Sequence, residues 1–120
     1  MKRIANKIAL ITGASRGIGA TTAQIFYAAG AHVILTDILD AEGQDLAAKL
    51  DGEYYHLDVG SAEDWDNLHA LISKKYGHID ILFNNAGITG FDDDLGPQDP
   101  ENISLQAWHA VHKVNLDGVF

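Results

Sequence analysis

Four short apolar runs alternate with four stretches of helical periodicity, and this alternation constrains the fold more than any other feature of the 120 residues. Residues 8–11, Ile-Ala-Leu-Ile, are apolar at every position and run into a glycine-rich turn, which is the pattern of a strand covered on both faces. Residues 32–36, 54–57 and 79–83 read as three further strands. Between them, apolar side chains recur every three or four residues. The recurring positions are Ile18, Thr22, Ile25, Phe26 and Ala29 over 17–29, then Leu46, Ala47 and Leu50 over 41–50. Trp65, Leu68, Leu71 and Ile72 continue the pattern after Ser61, and Gly77 ends it. Gly30 stands where a helix takes a left-handed terminal residue, and Ser61-Ala62-Glu63-Asp64 resembles a capping box with Asp in place of Glu. Gly43 weakens the second helix. A fourth helix is expected from Ser104, with Leu105, Trp108, Val111 and Asn115 on one stripe facing the core.

Strand and helix in strict alternation call for a doubly wound α/β domain, a parallel sheet of four strands with four helices on its two faces. The length supports one such domain over 1–120 and excludes a second core. The last helix runs into Val119-Phe120 with no capping residue, so the fold reads as incomplete at its C-terminus. Residues 89–102, with Asp92-Asp93-Asp94 and both prolines, Pro97 and Pro100, read as an irregular, solvated acidic loop.

Charge narrows the partners. Eight Lys and Arg stand against 17 Asp and Glu, a formal net charge of -9, which argues against nucleic acid or anionic lipid as a partner. The absence of cysteine removes disulfides, thiolate metal sites and a cysteine nucleophile together. No apolar stretch approaches the ~18 residues of a membrane span, and the expectation is a cytoplasmic protein with no membrane partner. His109 and His112 have no carboxylate at the next helical spacing except Asp117, and no cysteine, while Asp92–Asp94 lack the distal glutamate of a calcium loop, so no metal site is expected.

The chemistry concentrates in Thr12-Gly13-Ala14-Ser15-Arg16-Gly17-Ile18-Gly19, between the first strand and the first helix. Gly13 permits a tight turn, Gly17 lets backbone approach a phosphate, and Gly19 allows close packing of helix on sheet. The helix N-terminus then offers free N–H groups and a positive dipole end to a pyrophosphate. The spacing is G-x-x-x-G-x-G, not the general G-x-G-x-x-G, and a ligand-free glycine turn is the competing reading. Asp37 ends the second strand, 20 residues past Gly17, where a carboxylate accepts hydrogen bonds from both ribose hydroxyls of an adenosine and repels a 2′-phosphate. This favours NAD over NADP, although Arg16 beside the turn could face that phosphate, and Asp37 could instead initiate the next helix. Asp58-Val59 and Asn84-Asn85-Ala86-Gly87 follow the third and fourth strands, so polar or small residues gather at the carboxyl ends where open α/β sheets bind ligands. Taken singly, Asp58 could be a turn residue and Asn84 a cross-link between strands.

These segments, with Asn115 in Val114-Asn115-Leu116, resemble the short-chain dehydrogenase/reductase family in its non-extended subgroup, from about Lys7 to Phe120. The resemblance implies a Rossmann-type fold. It also implies that Gly13, Ser15, Arg16 and Ile18 line the pyrophosphate, that Asp37 holds the ribose, and that Asp58 and Val59 flank the adenine. Asn85 would sit beside the cofactor with Ala86 and Gly87, and Asn115 would be the asparagine of the catalytic tetrad, against a purely local role in bending or capping the last helix. The family's serine and Y-x-x-x-K pair do not occur within the 120 residues: Tyr27, Tyr54, Tyr55 and Tyr76 are followed four residues on by Ala31, Asp58, Val59 and Asp80. An isolated tyrosine, with its pKa near ~10, is a poor proton carrier at neutral pH. The expectation is the cofactor-binding half of an NAD-dependent oxidoreductase acting on a small secondary alcohol or ketone, inactive alone and a homo-oligomer through its last helix when full length. The alternative, if the chain ends at Phe120, is a non-catalytic NAD-binding module acting as a sensor or assembly partner. The stretch from Gly87 to Asn115 is longer than usual for the family and suggests an insertion near the substrate mouth.

Overall fold

In the computed structural model, which describes residues 2–120, four strands form one parallel sheet in the order β3-β2-β1-β4. They are β1 (Ile8–Thr12), β2 (His32–Asp37), β3 (Glu53–His56) and β4 (Ile81–Phe83). The chain steps outward from β1 through β2 to β3, then crosses back to place β4 on the other side of β1. That reversal beside β1 opens a crevice at the carboxyl ends of the strands.

Alternating side chains of β1 and β2 enter two separate cores. Ala9, Ile11, Val33 and Leu35 pack on one face with Ala23 of α1 (Gly17–Ala28) and Ala47 of α2 (Asp40–Lys49). Leu10 and Ile34 pack on the other with Leu68 and Ile72 of α3 (Ala62–Lys75) and, at its border, Val114. With both faces covered, the strands carry apolar residues continuously rather than alternately.

The helices bury smaller faces than their apolar periodicity predicts. On α1 the buried residues are Gly19 and Ala23, while Ile18 and Ile25 are exposed. Small side chains let the helix axis approach the sheet, and the larger ones are displaced outward. Gly43 has the same use in α2. A Cβ there would stand 2.1 Å from the Tyr54 ring, so the glycine that weakens the helix locally is what allows it to dock. On α3, Leu68 and Ile72 are buried and Leu71 is exposed. Ser61 caps this helix through Oγ, accepting from the Asp64 N–H at 3.2 Å, but the Asp64 carboxylate reaches past the box to accept from the Asp58 N–H at 2.8 Å.

Two expectations need correcting. The fourth strand begins at Ile81 rather than 79, because Asp80 leaves the strand to pair with the start of β1: its carboxylate accepts from the Ile8 N–H, and its own N–H donates to the Ile8 carbonyl. Helix α4 (Leu105–His112), capped by Ser104 Oγ on the Ala107 N–H, does not bury the expected stripe. Ala107 is buried, whereas Leu105 and Trp108 are 75% and 51% exposed. The helix then widens into a π-type turn over Lys113–Asp117, where the Gly118 N–H reaches back five residues to the Lys113 carbonyl at 3.0 Å. Residues 89–102 hold no helix or strand. No helix among the described residues is long and apolar enough to cross a membrane.

Candidate functional site

A cavity of about 510 Å³ opens at the carboxyl ends of the strands. This volume falls inside the roughly 300–1,000 Å³ range of small-molecule sites. Its floor is the turn between β1 and α1. Gly13, with φ +62°, takes a backbone conformation that other residues avoid, and a Cβ on it would stand 2.8 Å from the Ala86 Cα. Gly17 is also left-handed, at φ +59°, but nothing lies within 4 Å of its missing side chain. Its backbone therefore borders open cavity. Arg16 occupies the N-cap of α1 in an extended conformation, no side chain caps the helix, and no acidic residue stands in the first turn. Uncapped N–H groups and the positive end of the helix dipole face the space, a surface that suits an anionic diphosphate.

Two clamps hold this turn. On the β4 side, Thr12 Oγ1 accepts from the Asn85 and Ala86 N–H groups at 3.0 Å each, and Asn85 Nδ2 stands 3.1 Å from both the Thr12 and Gly13 carbonyls. On the β2 side, the Ala14 N–H donates to the Thr36 carbonyl, the Ser15 N–H to Asp37 Oδ2, and the Ser15 hydroxyl to the Leu39 carbonyl, at 2.9–3.0 Å. The cross-linking asparagine is thus Asn85, not Asn84, which is exposed. Gly19 fits between the clamps: a Cβ would stand 2.2 Å from the Gly13 carbonyl oxygen and 2.6 Å from Asn85 Nδ2.

Asp37 borders the cavity with both carboxylate oxygens engaged. Oδ1 accepts from the Ile38 and Leu39 N–H groups at 2.7 and 3.1 Å, and Oδ2 from Ser15. A carboxylate offers about four lone-pair positions, and the three N–H donors leave room on Oδ2 for one further donor. Tyr54 supports the backbone behind it, its hydroxyl 2.7 Å from the Asp37 carbonyl and 2.6 Å from Asp40 Oδ1. Burial and the neighbouring Asp40 push the Tyr54 hydroxyl above its ordinary pKa. His56 Nδ1 lies 2.8 Å from the same Asp40 oxygen, which raises the His56 pKa. Hydrogen bonds from Tyr54 and His56 in turn hold Asp40 below the usual carboxylate range.

The structure gathers Gly13, Arg16, Gly17, Ile18, Asp37, Asp58, Val59, Asn85, Ala86 and Gly87 around this one cavity. Asp58 also accepts the Gly60 N–H at 2.9 Å, so its turn-forming role coexists with its place on the rim. Three positions are not part of the lining. Ser15 is buried with its hydroxyl turned to Leu39, Gly19 is packed against Gly13, and Asn115 sits in the wide turn. Asn115 grips the backbone of Ile88 in both directions at 2.8 Å, its Oδ1 accepting from the N–H and its Nδ2 donating to the carbonyl. Sequence reasoning missed Ile38, Leu39, Leu57, Ile88 and Val114 in the lining. It also treated Asp92 and Asp93 as merely solvated, whereas both stand at the cavity mouth. The signal available for these two was the length of the segment carrying them. His112 of the histidine pair is engaged locally, its Nδ1 2.9 Å from the Trp108 carbonyl.

Comparison with known proteins returns one consistent answer. The family model described as short chain dehydrogenase matches residues 7–120. The chain is 51% identical to tropinone reductase-like 1 of Erythroxylum coca over 72% of its length and 33% of that protein. It is 35% identical to trans-4-hydroxycyclohexanecarboxylate dehydrogenase of Sinomonas cyclohexanicum, over 98% of its length and 48% of that protein. Among solved structures, the 3-ketoacyl-(acyl-carrier-protein) reductase of Brucella melitensis complexed with NADH superposes with a TM-score of 0.86 at 31% identity, covering 97% of this chain and 46% of that one. The chain therefore spans between a third and about half of these proteins.

Proposed function

The chain belongs to the short chain dehydrogenase family, and from that premise we propose that it forms the cofactor-binding part of an oxidoreductase using NAD in preference to NADP. The reaction is transfer of a hydride between the nicotinamide and a small secondary alcohol or its ketone. The observation that carries this reading is the convergence of the uncapped α1 N-terminus, the open backbone at Gly17, the Asp37 carboxylate and the Asn85–Gly87 segment on one cavity. The NADH carried by the Brucella reductase supports a nicotinamide cofactor here as well.

The bound nicotinamide supplies the redox chemistry, and the protein supplies grip and orientation. The turn from Gly13 to Ile18 would hold the pyrophosphate through main-chain N–H groups, with the Arg16 guanidinium close by. Asp37 would accept one ribose hydroxyl through its remaining Oδ2 lone pair. A 2′-phosphate there would bring roughly -1.5 to -2 charges against a carboxylate already fixed in place, which is the basis for disfavouring NADP. Asp58 and Val59 would flank the adenine. Asn85, Ala86 and Gly87 would border the nicotinamide half, and Asn115 would act on it through Ile88. The general acid/base tyrosine and its lysine would be supplied from outside these 120 residues. In the complete enzyme the exposed Leu105 and Trp108 of α4 would face another subunit. Calorimetric titration with NAD and NADP tests the cofactor assignment, with NAD expected to bind at least about tenfold more tightly, a difference of ~1.4 kcal/mol. Tighter NADP binding would overturn the role of Asp37, and no binding of either would overturn the site.

A further inference from the structure

Asp37 makes a contact that discrimination between cofactors does not require. Its Oδ1 is occupied by the next two backbone N–H groups, an ordinary turn, but Oδ2 reaches back 22 residues to the Ser15 N–H at 3.0 Å. Ser15 is 8% exposed and directly precedes Arg16 and Gly17, the part of the glycine turn that borders the cavity. Two neighbouring bonds run between the same segments: the Ser15 hydroxyl donates to the Leu39 carbonyl and the Ala14 N–H to the Thr36 carbonyl. Of the three, only the bond to Asp37 Oδ2 ends on a charged side chain of the cavity lining. A backbone N–H bonded to a charged acceptor is held more firmly than one bonded to a neutral carbonyl. One carboxylate oxygen is thus shared between a turn that must stay fixed to receive a phosphate and a ligand that arrives about one nucleoside away.

We infer that Asp37 is a positioning residue for the phosphate-binding turn as well as a ribose acceptor, so that the adenosine and pyrophosphate parts of the cavity are coupled through its Oδ2. This rests on the dinucleotide reading above and extends it. A carboxylate that only contacts ribose can be replaced at the expense of the ribose contact alone. One that also holds Ser15 cannot, because its removal leaves a buried N–H unpaired and loosens the turn, which keeps only its bonds to Leu39 and Thr36 on that side. Exchanging Asp37 for a small neutral residue would therefore weaken both dinucleotides instead of converting an NAD site into an NADP site.

The test uses Asp37→Ala and Asp37→Asn with two readouts. The first needs no ligand: amide hydrogen exchange at Ser15 should accelerate about tenfold or more in Asp37→Ala. Asp37→Asn, with one acceptor oxygen for three donors, should fall between it and the parent, while Leu10 and Ile11 in β1 keep their parental rates. If the alanine variant does not fold, the asparagine variant carries the comparison. The second readout is calorimetric titration with NAD and with an NAD analogue whose adenosine ribose is 2′,3′-dideoxy and so has no hydroxyls for Asp37 to accept. The analogue should still bind the variants several-fold more weakly than the parent, by up to about tenfold. Unchanged Ser15 exchange in both variants, or parental affinity of the dideoxy analogue for them, would overturn the coupling. Failure of the parent to bind NAD would instead remove the functional reading, and the Ser15 exchange rates would then decide the positioning role alone.

Discussion

The two rims of the sheet spend their polar groups differently. At the amino ends of the strands, most polar contacts join one side chain to another, the Asp80 carboxylate on the Ile8 N–H excepted. Glu53 at the start of β3 is bonded by Lys75, by the Tyr76 hydroxyl and, at 3.1 Å, by His32 at the start of β2. Asp80 lies 3.6 Å from both Lys7 and His78. At the carboxyl ends, apart from the contacts of Asp40 with Tyr54 and His56, side chains meet backbone: Asp37, Asp58, Asp64, Thr12, Asn85 and Asn115 all bond main-chain N–H or C=O groups of turns. The first arrangement fastens strand to strand and closes on itself. The second shapes turns and leaves the Gly17 backbone open. Changes at the amino rim should therefore alter stability alone, whereas changes at the carboxyl rim should alter ligand binding as well.

The largest expected effect tests the carboxyl rim where it is most crowded. Gly19→Val forces a branched side chain against the Gly13 carbonyl and Asn85 Nδ2, and should cost about 3 kcal/mol of unfolding free energy and abolish NAD binding. Denaturant titration and calorimetry report the two losses. Glu53→Gln probes the opposite rim. Burial pushes the Glu53 carboxyl up, but hydrogen bonds from Lys75, Tyr76 and His32 outweigh it and hold the pKa down to about 2, against an ordinary 4.5. A depressed carboxylate stabilises the fold above its unfolded pKa, and that contribution is lost as the pH falls from about 4.5 towards 2. The variant should lose on the order of 2 kcal/mol at neutral pH and flatten the stability profile across that window, with NAD affinity changed by less than about twofold. Equal damage to binding would erase the distinction between the rims.

Gly17→Ala sharpens the contrast inside one motif. It meets no neighbouring atom, so its stability cost should be the left-handed backbone alone, about 1–2 kcal/mol. Its methyl group would stand in the open space proposed for the pyrophosphate, and NAD should bind at least about tenfold more weakly. Asn115→Ala removes two exposed hydrogen bonds to Ile88 and should cost about 1 kcal/mol or less, with faster exchange of the Ile88 amide as the specific sign. Lys7→Met, in an exposed ion pair, should shift stability by less than about 0.5 kcal/mol.

The architecture was legible because strand burial and helix periodicity are local patterns with different repeats, and both cores require them. The lining residues of the glycine turn were legible for a related reason, since a glycine with open space around it and one pressed against a carbonyl serve the same short motif. What escaped was whatever depends on the distance between segments. No rule of spacing says that Gly43 makes room for Tyr54, or that Asn85 and not Asn84 faces Thr12. Helical periodicity marks Leu105 and Trp108 as a stripe without saying whether anything covers it. Nor does a run of three aspartates reveal that two of them stand at a cavity mouth, because the path of an irregular loop is set by its ends and its own side chains.

The wide turn at Lys113–Asp117 has a consequence for the residues it carries. An α-helix advances by about 100° per residue, so one residue accommodated in excess turns the residues that follow it within the wide turn through roughly that angle relative to a continuous helix. Leu116 and Asp117 thus point in directions that α4 extended without interruption would not give them, and Asn115 meets Ile88 from within the offset. Adding or removing a residue here would therefore shift Val114 off the core and Asn115 off Ile88 together, which no single exchange of side chain would do.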